Sequence, residues 1–193
     1  MEIKSYFTLS EWVIIILLAV VSALLNTYIP IKSIIEYFGI SGPAAGMALF
    51  GGFIFVLWIS LACLIIKKKS SGIITSIFIA SFCLLIHPWY GIVSPMWFSI
   101  YGIVGLLSMG ILIEFTDSRS FWLAMLGGGL GNVTCLVITW LAIGIHTDTW
   151  IPLEFGLLLM LAALISGSAG ILLAYGINKR LDLYSHFWQL EKE

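Results

Sequence analysis

Residues 42–66 read GPAAGMALFGGFIFVLWISLACLII, and this stretch decides the fold of the chain. It carries no charged side chain, and Lys67, Lys68 and Lys69 follow it directly. A helix needs about 20 mostly apolar residues to cross the hydrocarbon core of a bilayer. The stretch is long enough, so the sequence predicts a membrane-spanning helix here.

Segments of similar character recur along the chain, and six in all are apolar enough to be read as spans. They are residues 11–29, 42–66, 72–87, 96–115, 121–144 and 153–178. The third is the shortest, and the break at 30–41 has room for a short interfacial helix. We therefore expect an all-α polytopic membrane protein with a single six-helix domain over residues 1–178. Residues 179–193 mix apolar and charged side chains, which predicts an amphipathic cytoplasmic tail that lies on the inner surface or contacts a partner.

The composition excludes several classes of protein. Of the 193 residues, 61% are apolar and 10% are charged, whereas an ordinary soluble domain is about half apolar and a quarter charged. A globule of this size has too little interior to hide that much apolar surface, which excludes a soluble enzyme and a disordered regulator. Nine Lys and Arg against ten Asp and Glu leave no basic surface for nucleic acid. The three cysteines, Cys63, Cys83 and Cys135, lie inside apolar stretches and are expected to be small buried residues.

The Lys and Arg residues predict the orientation, because cytoplasmic loops carry an excess of them. Threading six helices puts on one side Lys4, Lys67, Lys68, Lys69, Arg119, Lys179, Arg180 and Lys192. The other side receives Lys32 alone. Both termini are therefore predicted to be cytoplasmic, and the protein to meet its ligand from outside.

Motifs for common chemistries are missing from the sequence. It has no GxxxxGK[ST] phosphate loop, and no HExxH or paired His/Cys spacing, so neither a bound ATP nor a metal or other cofactor is expected. The acids of the predicted spans, Glu11, Glu114 and Glu154, lie near the span ends, which disfavours ion-driven transport by this chain alone. For Glu11 and Glu114 we expect interfacial charges that reach water.

One motif suggests an enzyme. Residues 39–46 match the GxSGxxxG string that carries the nucleophile of rhomboid-type intramembrane proteases, with Ser41 as the serine. That chemistry needs a His on a later helix to accept the serine proton, and no His lies inside a later predicted span, since His87 is only the last residue of the third. The alternative is structural: Pro43 starts a helix at its first turn, and the small residues allow close packing.

A ligand pocket is expected in the outer half, mostly apolar and aromatic with a few polar groups. The candidate binding residues are His87, Trp89, Tyr90, Trp97, Tyr101, Asn132, Thr139 and Glu154. The aromatic ones offer stacking faces, or alternatively form an interfacial aromatic belt. Asn132 contacts either a ligand or a neighbouring helix, because a buried amide needs partners. Glu154 pairs with a cationic ligand or simply favours a helix N-terminus.

The layout resembles the substrate-binding S component of an energy-coupling factor (ECF) transporter. The segments that carry the resemblance are SEWVI at 10–14, Gly42-Pro43, KKKSSG at 67–72, GILIEF at 110–115, the glycine-rich fifth span and LISG at 164–167. Within that family it is most similar to the group proposed to take up thiamine or its hydroxymethylpyrimidine precursor.

The resemblance implies a non-catalytic subunit in the cell membrane of a prokaryote. It would capture a vitamin-like solute outside and deliver it inward with a transmembrane coupling subunit and two ATPase subunits. Ala19 and Ala23 match the AxxxA patch with which the family docks on the coupling subunit; internal packing is the alternative. Other classes stay open: a membrane assembly protein, an intramembrane enzyme, and a small self-contained transporter.

Overall fold

The computed structural model describes residues 6–37, 43–86, 96–117, 120–150 and 152–190, without the side chains of residues 32, 35, 36, 43, 117 and 182–190. These residues form helices, with no strand among them. The helices are α1 (Leu9–Tyr28), α2 (Ile31–Tyr37), α3 (Pro43–Gly51), a π-helical segment (Gly52–Val56), α4 (Leu57–Ile66), α5 (Ser71–Ile86), α6 (Phe98–Asp117), α7 (Phe121–Thr147) and α8 (Leu153–Leu190). The prediction of an all-α protein is confirmed.

Five helical stretches within the described residues are long and apolar enough to cross a membrane. They are Leu9–Tyr28, Ala44–Ile66, Phe98–Thr116, Phe121–Thr147 and Leu153–Leu181. The remaining predicted span corresponds to α5, which has 16 residues. At 1.5 Å per residue it is roughly 24 Å long, short of the ~30 Å hydrocarbon core. The six expected spans therefore appear as five full-length helices and one shorter apolar helix that packs between α1 and α6.

The bundle has two chemically different ends. At one end, here called the basic end, Lys68 contacts Glu11, and the turn from Lys67 to Ser70 contacts Glu114. At the other, the aromatic end, Tyr101 at the start of α6 meets His146 at the end of α7. Lys179 and Arg180 follow directly on Asn178, which shares a cavity with the lysines of the basic end. The described Lys and Arg residues of the predicted inner set therefore lie together, while the side of the membrane that each end faces stays a prediction.

The continuous helix from α3 to α4 lies at the centre of the bundle. Its π-helical segment interrupts the regular hydrogen-bond ladder, and side chains of two other helices bind backbone groups there. The Ser166 hydroxyl donates to Leu49 O at 2.8 Å and accepts from Gly52 N at 3.2 Å. The Ser22 hydroxyl donates to Ile54 O at 2.6 Å. These bonds hold α1 and α8 against the central helix.

Glycines let the central helix, α7 and α8 approach closely. A methyl group on Gly52 would overlap the Ser166 carbonyl, and one on Gly167 would overlap the Gly128 carbonyl. Small residues at crossings permit this backbone contact between membrane helices. The start of α3 at Pro43 confirms the helix predicted to begin there, whereas Ser41 lies outside the described residues.

Ala19 and Ala23 lie in the core, and neither is exposed. They flank Ser22, which bonds the central helix. The chain itself therefore covers this face of α1, which agrees with the alternative of internal packing. The docking role of Ala19 and Ala23 stays a prediction.

Cys63, Cys83 and Cys135 are buried and form no disulfide, as predicted. Helix α8 continues without a break to Leu190 over 38 residues. The tail is thus a prolongation of the last span, and its contact with a membrane surface or a partner stays a prediction.

Candidate functional site

Three ring-bearing residues form a cluster at the aromatic end. Trp97 directly precedes α6, Tyr101 lies in its first turn, and His146 lies in the last turn of α7. The Trp97 and His146 rings stack with centroids 4.2 Å apart and planes inclined by 16°. The Tyr101 hydroxyl lies 3.1 Å from His146 Nε2, within hydrogen-bond distance. We call Trp97, Tyr101 and His146 the aromatic cluster.

The cluster holds an exposed imidazole in a fixed position. His146 is fixed by the stack on Trp97 and by the bond to Tyr101, while its side chain stays exposed. An imidazole nitrogen donates or accepts according to its tautomer. The cluster therefore offers a flat ring face and polar atoms to a molecule that approaches this end.

Two tryptophans pack against glycines of α7 and α8 at the same end of the bundle. The Trp150 ring lies over Gly144, where a methyl group would meet it at about 2.5 Å, and the Trp140 ring lies against Gly156. Asp148 turns the chain between the helices with a left-handed φ of 52°. The indole nitrogen of Trp140 is buried and has no hydrogen-bond partner among the described residues. The half of α7 nearest the aromatic end thus contains a donor that no described group satisfies.

The structure brings together Trp97 and Tyr101 from the predicted set and adds His146. The sequence places His146 in an outer connection, but nothing in its spacing links it to Trp97. The order of the helices could have linked the two residues. When α6 and α7 run antiparallel, the start of α6 and the end of α7 lie at the same end of the bundle. The predicted residues His87, Trp89 and Tyr90 lie outside the described residues, and their role stays a prediction.

Asn132 lies in the middle of the bundle and bonds another helix. It is fully buried, and its Nδ2 donates to Ala163 O on α8 at 2.9 Å. Its Oδ1 has no hydrogen-bond partner among the described residues and packs against Gly51, where a methyl group would overlap it. At 1.5 Å per residue Asn132 is roughly 20 Å from His146 along α7. This arrangement agrees with the alternative in which Asn132 bonds a neighbouring helix. Asn132 does not lie at the aromatic cluster.

Thr139 and Glu154 are the remaining predicted residues that the structure describes. The Thr139 hydroxyl donates to Cys135 O, one turn earlier in α7, at 2.9 Å. Glu154 is exposed in the first turn of α8, where a negative charge favours the positive end of the helix dipole.

The acids at the basic end are bound within the chain. Glu11 Oε2 accepts from Lys68 Nζ at 2.7 Å, and Glu11 also caps α1 together with Thr8. The Glu114 carboxylate accepts from Ser70 N at 2.8 Å and from Gly72 N at 2.7 Å, so it caps the start of α5. Each acid thus has partners within the chain, because Glu11 joins α1 to the turn after α4 and Glu114 joins α6 to the start of α5.

No family model, curated protein or solved structure matches the chain. In the part of the chain that the structure describes, no three His, Cys, Asp or Glu side chains are grouped to hold a metal ion. The aromatic cluster is therefore the candidate site on which a function is proposed.

Proposed function

We propose that the chain is a membrane-embedded solute-binding subunit of an importer, of the kind found as S components in ECF transporters. It captures a flat, vitamin-like solute at the aromatic end and releases it on the other side. The observation that carries the proposal is the exposed His146 ring, fixed between Trp97 and Tyr101. The resemblance in sequence layout supports the same function.

The cluster suits a planar heterocycle with polar ring atoms. Small-molecule sites are mostly apolar and aromatic, with a few placed polar groups that set orientation. The exposed imidazole supplies a stacking face and a hydrogen-bonding nitrogen. Because the imidazole is already held by two neighbours, little side-chain freedom is lost on binding.

A cationic solute gains further from these surroundings. A positive charge over an aromatic face is attracted by the ring quadrupole, by about 0.5–2 kcal/mol. Glu154 in the first turn of α8 supplies a carboxylate at the same end. Thiamine or its pyrimidine precursor has the required flat nitrogen-containing ring, and thiamine also carries the positive charge.

The chain needs partners to drive transport. Its sequence has no phosphate loop, and the described acids of its helices are bound to neighbouring chain or lie at a helix start. In the proposal, a transmembrane coupling subunit and two ATPase subunits supply the energy, and this chain supplies recognition without catalysis.

Thermal stabilisation of the purified protein by a panel of vitamins, including thiamine and its pyrimidine precursor, tests the proposal. A solute at a hundred times its dissociation constant adds about 2.7 kcal/mol to the free energy of unfolding. We expect one compound to raise the melting temperature, and the rise to shrink in Trp97→Phe and His146→Gln.

Trp122→Phe is the matched control. Trp122 is 73% exposed and lies at the start of α7, at the opposite end of the bundle. Its replacement should leave the stabilisation unchanged. If no compound stabilises protein shown to be folded, the solute-binding function is overturned in favour of a membrane assembly protein.

A further inference from the structure

A cavity of about 620 Å³ opens at the basic end, far from the aromatic cluster. The ends of α4 and α6, the start of α5 and Asn178 of α8 surround it. Its polar wall is the turn that contains Lys67, Lys68 and Lys69, and its apolar wall contains Leu64 and Phe115. The cavity thus joins a cationic rim to an apolar surface at one end of membrane helices.

The described charges leave this rim positive. Lys67 and Lys69 are exposed, while Lys68 is held at the N-terminal segment by Glu11 and by Tyr6 O at 3.0 Å. Glu114 lines the cavity, but its two oxygens accept the backbone N–H groups at the start of α5. The two outer lysines of the turn are therefore available to an anion.

The apolar wall indicates what kind of anion fits. Phe115 is 63% exposed and lies on α6, and Leu64 and Ile73 are half-buried. An aqueous phosphate ion gains nothing from such a wall, whereas the glycerol and first acyl carbons of a lipid do. Basic pockets between membrane helices are recognised binding places for anionic headgroups.

We propose that this cavity binds the phosphate-bearing headgroup of an anionic phospholipid. Lys67 and Lys69 contact the headgroup, and Phe115, Leu64 and Ile73 contact the upper parts of the acyl chains. The site is independent of the solute proposed for the aromatic end, because the two lie at opposite ends of α6.

Native mass spectrometry of the protein in mixed micelles of phosphatidylglycerol and phosphatidylcholine tests the proposal. The wild-type chain should retain phosphatidylglycerol in preference to phosphatidylcholine. Replacing Lys67 and Lys69 together by Gln should lower this preference by about fivefold for each lysine. The double variant K179Q/R180Q removes the same charge from the same end of the bundle. It should change the preference by less than about twofold, because neither side chain lines the cavity and the attraction of a cation for a headgroup falls off with distance.

Two further arms keep the test decisive. Ile73→Phe narrows the cavity without changing its charge and should also reduce phosphatidylglycerol retention, which covers the case in which the lysine variant fails to fold. Millimolar inorganic phosphate should not displace the lipid. Displacement by phosphate would assign the site to a free anion, and equal retention by wild type and by either cavity variant that folds would overturn the proposal.

Discussion

Trp97 and His146 stack nearly parallel, with ring centroids 4.2 Å apart, although Trp97 directly precedes α6 and His146 lies on α7. The contact joins the start of α6 to the end of α7 at one end of the bundle. It therefore fixes the relative position of these two helix ends and builds the ring platform on which the proposed function depends.

The Trp97–His146 stack should be measurable as a coupling energy. Stacked aromatic pairs contribute about 0.5–1.5 kcal/mol beyond the area that they bury. We expect a double-mutant cycle with Trp97→Leu and His146→Leu, followed by denaturant unfolding in micelles, to give a coupling of that size. The pair Trp122→Leu and His146→Leu should be additive, because these residues lie at opposite ends of α7. Additivity of the first pair would contradict the stack.

Substitution of Gly52 should destabilise the protein far more than substitution of Gly176. A methyl group on Gly52 overlaps the Ser166 carbonyl, whereas nothing lies within 4 Å of one on Gly176. We expect Gly52→Ala to lower the free energy of unfolding by about 1–3 kcal/mol through overpacking. Gly176→Ala should be neutral or raise it by up to about 1 kcal/mol, because alanine favours helix. Equal melting temperatures of the two variants would rule out the close crossing.

Asn132 should affect stability rather than solute binding. Its amide donates to Ala163 O on α8, and an interhelical bond of this kind contributes about 1 kcal/mol in membranes. We expect Asn132→Ala to melt earlier without any solute, and to keep whatever solute-induced shift the wild type has. Thr134→Ala is the control, because the Thr134 hydroxyl donates to Leu130 O within α7. Loss of the solute shift in folded Asn132→Ala would show ligand contact instead.

Glu114 should stabilise the start of α5. Its carboxylate accepts two backbone N–H groups, and caps of this type contribute about 0.5–2 kcal/mol. Glu114→Ala should lower the free energy of unfolding by about that amount and speed hydrogen exchange of the Ser70 and Gly72 amides. Glu154→Ala removes an exposed acid at the other end and should leave those amides unchanged. Unaltered exchange in Glu114→Ala would exclude the cap.

By itself the sequence determined that this is an all-helical protein with apolar helices of membrane length. Hydropathy is a property of each segment alone, and a helix satisfies its backbone hydrogen bonds internally. Both can therefore be predicted without knowing how the helices pack. The same holds for the helix that begins at Pro43. The gathering of Lys68 and Lys179 at one end also followed from the sequence, because successive antiparallel helices return to the same end.

Only the tertiary structure decided which faces of those helices meet. In a membrane protein, faces toward lipid and faces toward the core are both apolar, so the sequence pattern does not show the rotation of a helix about its axis. Ala23 on α1 is buried while Leu24 beside it is exposed, and both are apolar. The partners of Trp97, Asn132 and Glu114 depend on that rotation and on which helices are adjacent. For this reason only the packed structure shows that His146 belongs to the candidate site and that Ala19 and Ala23 face the core.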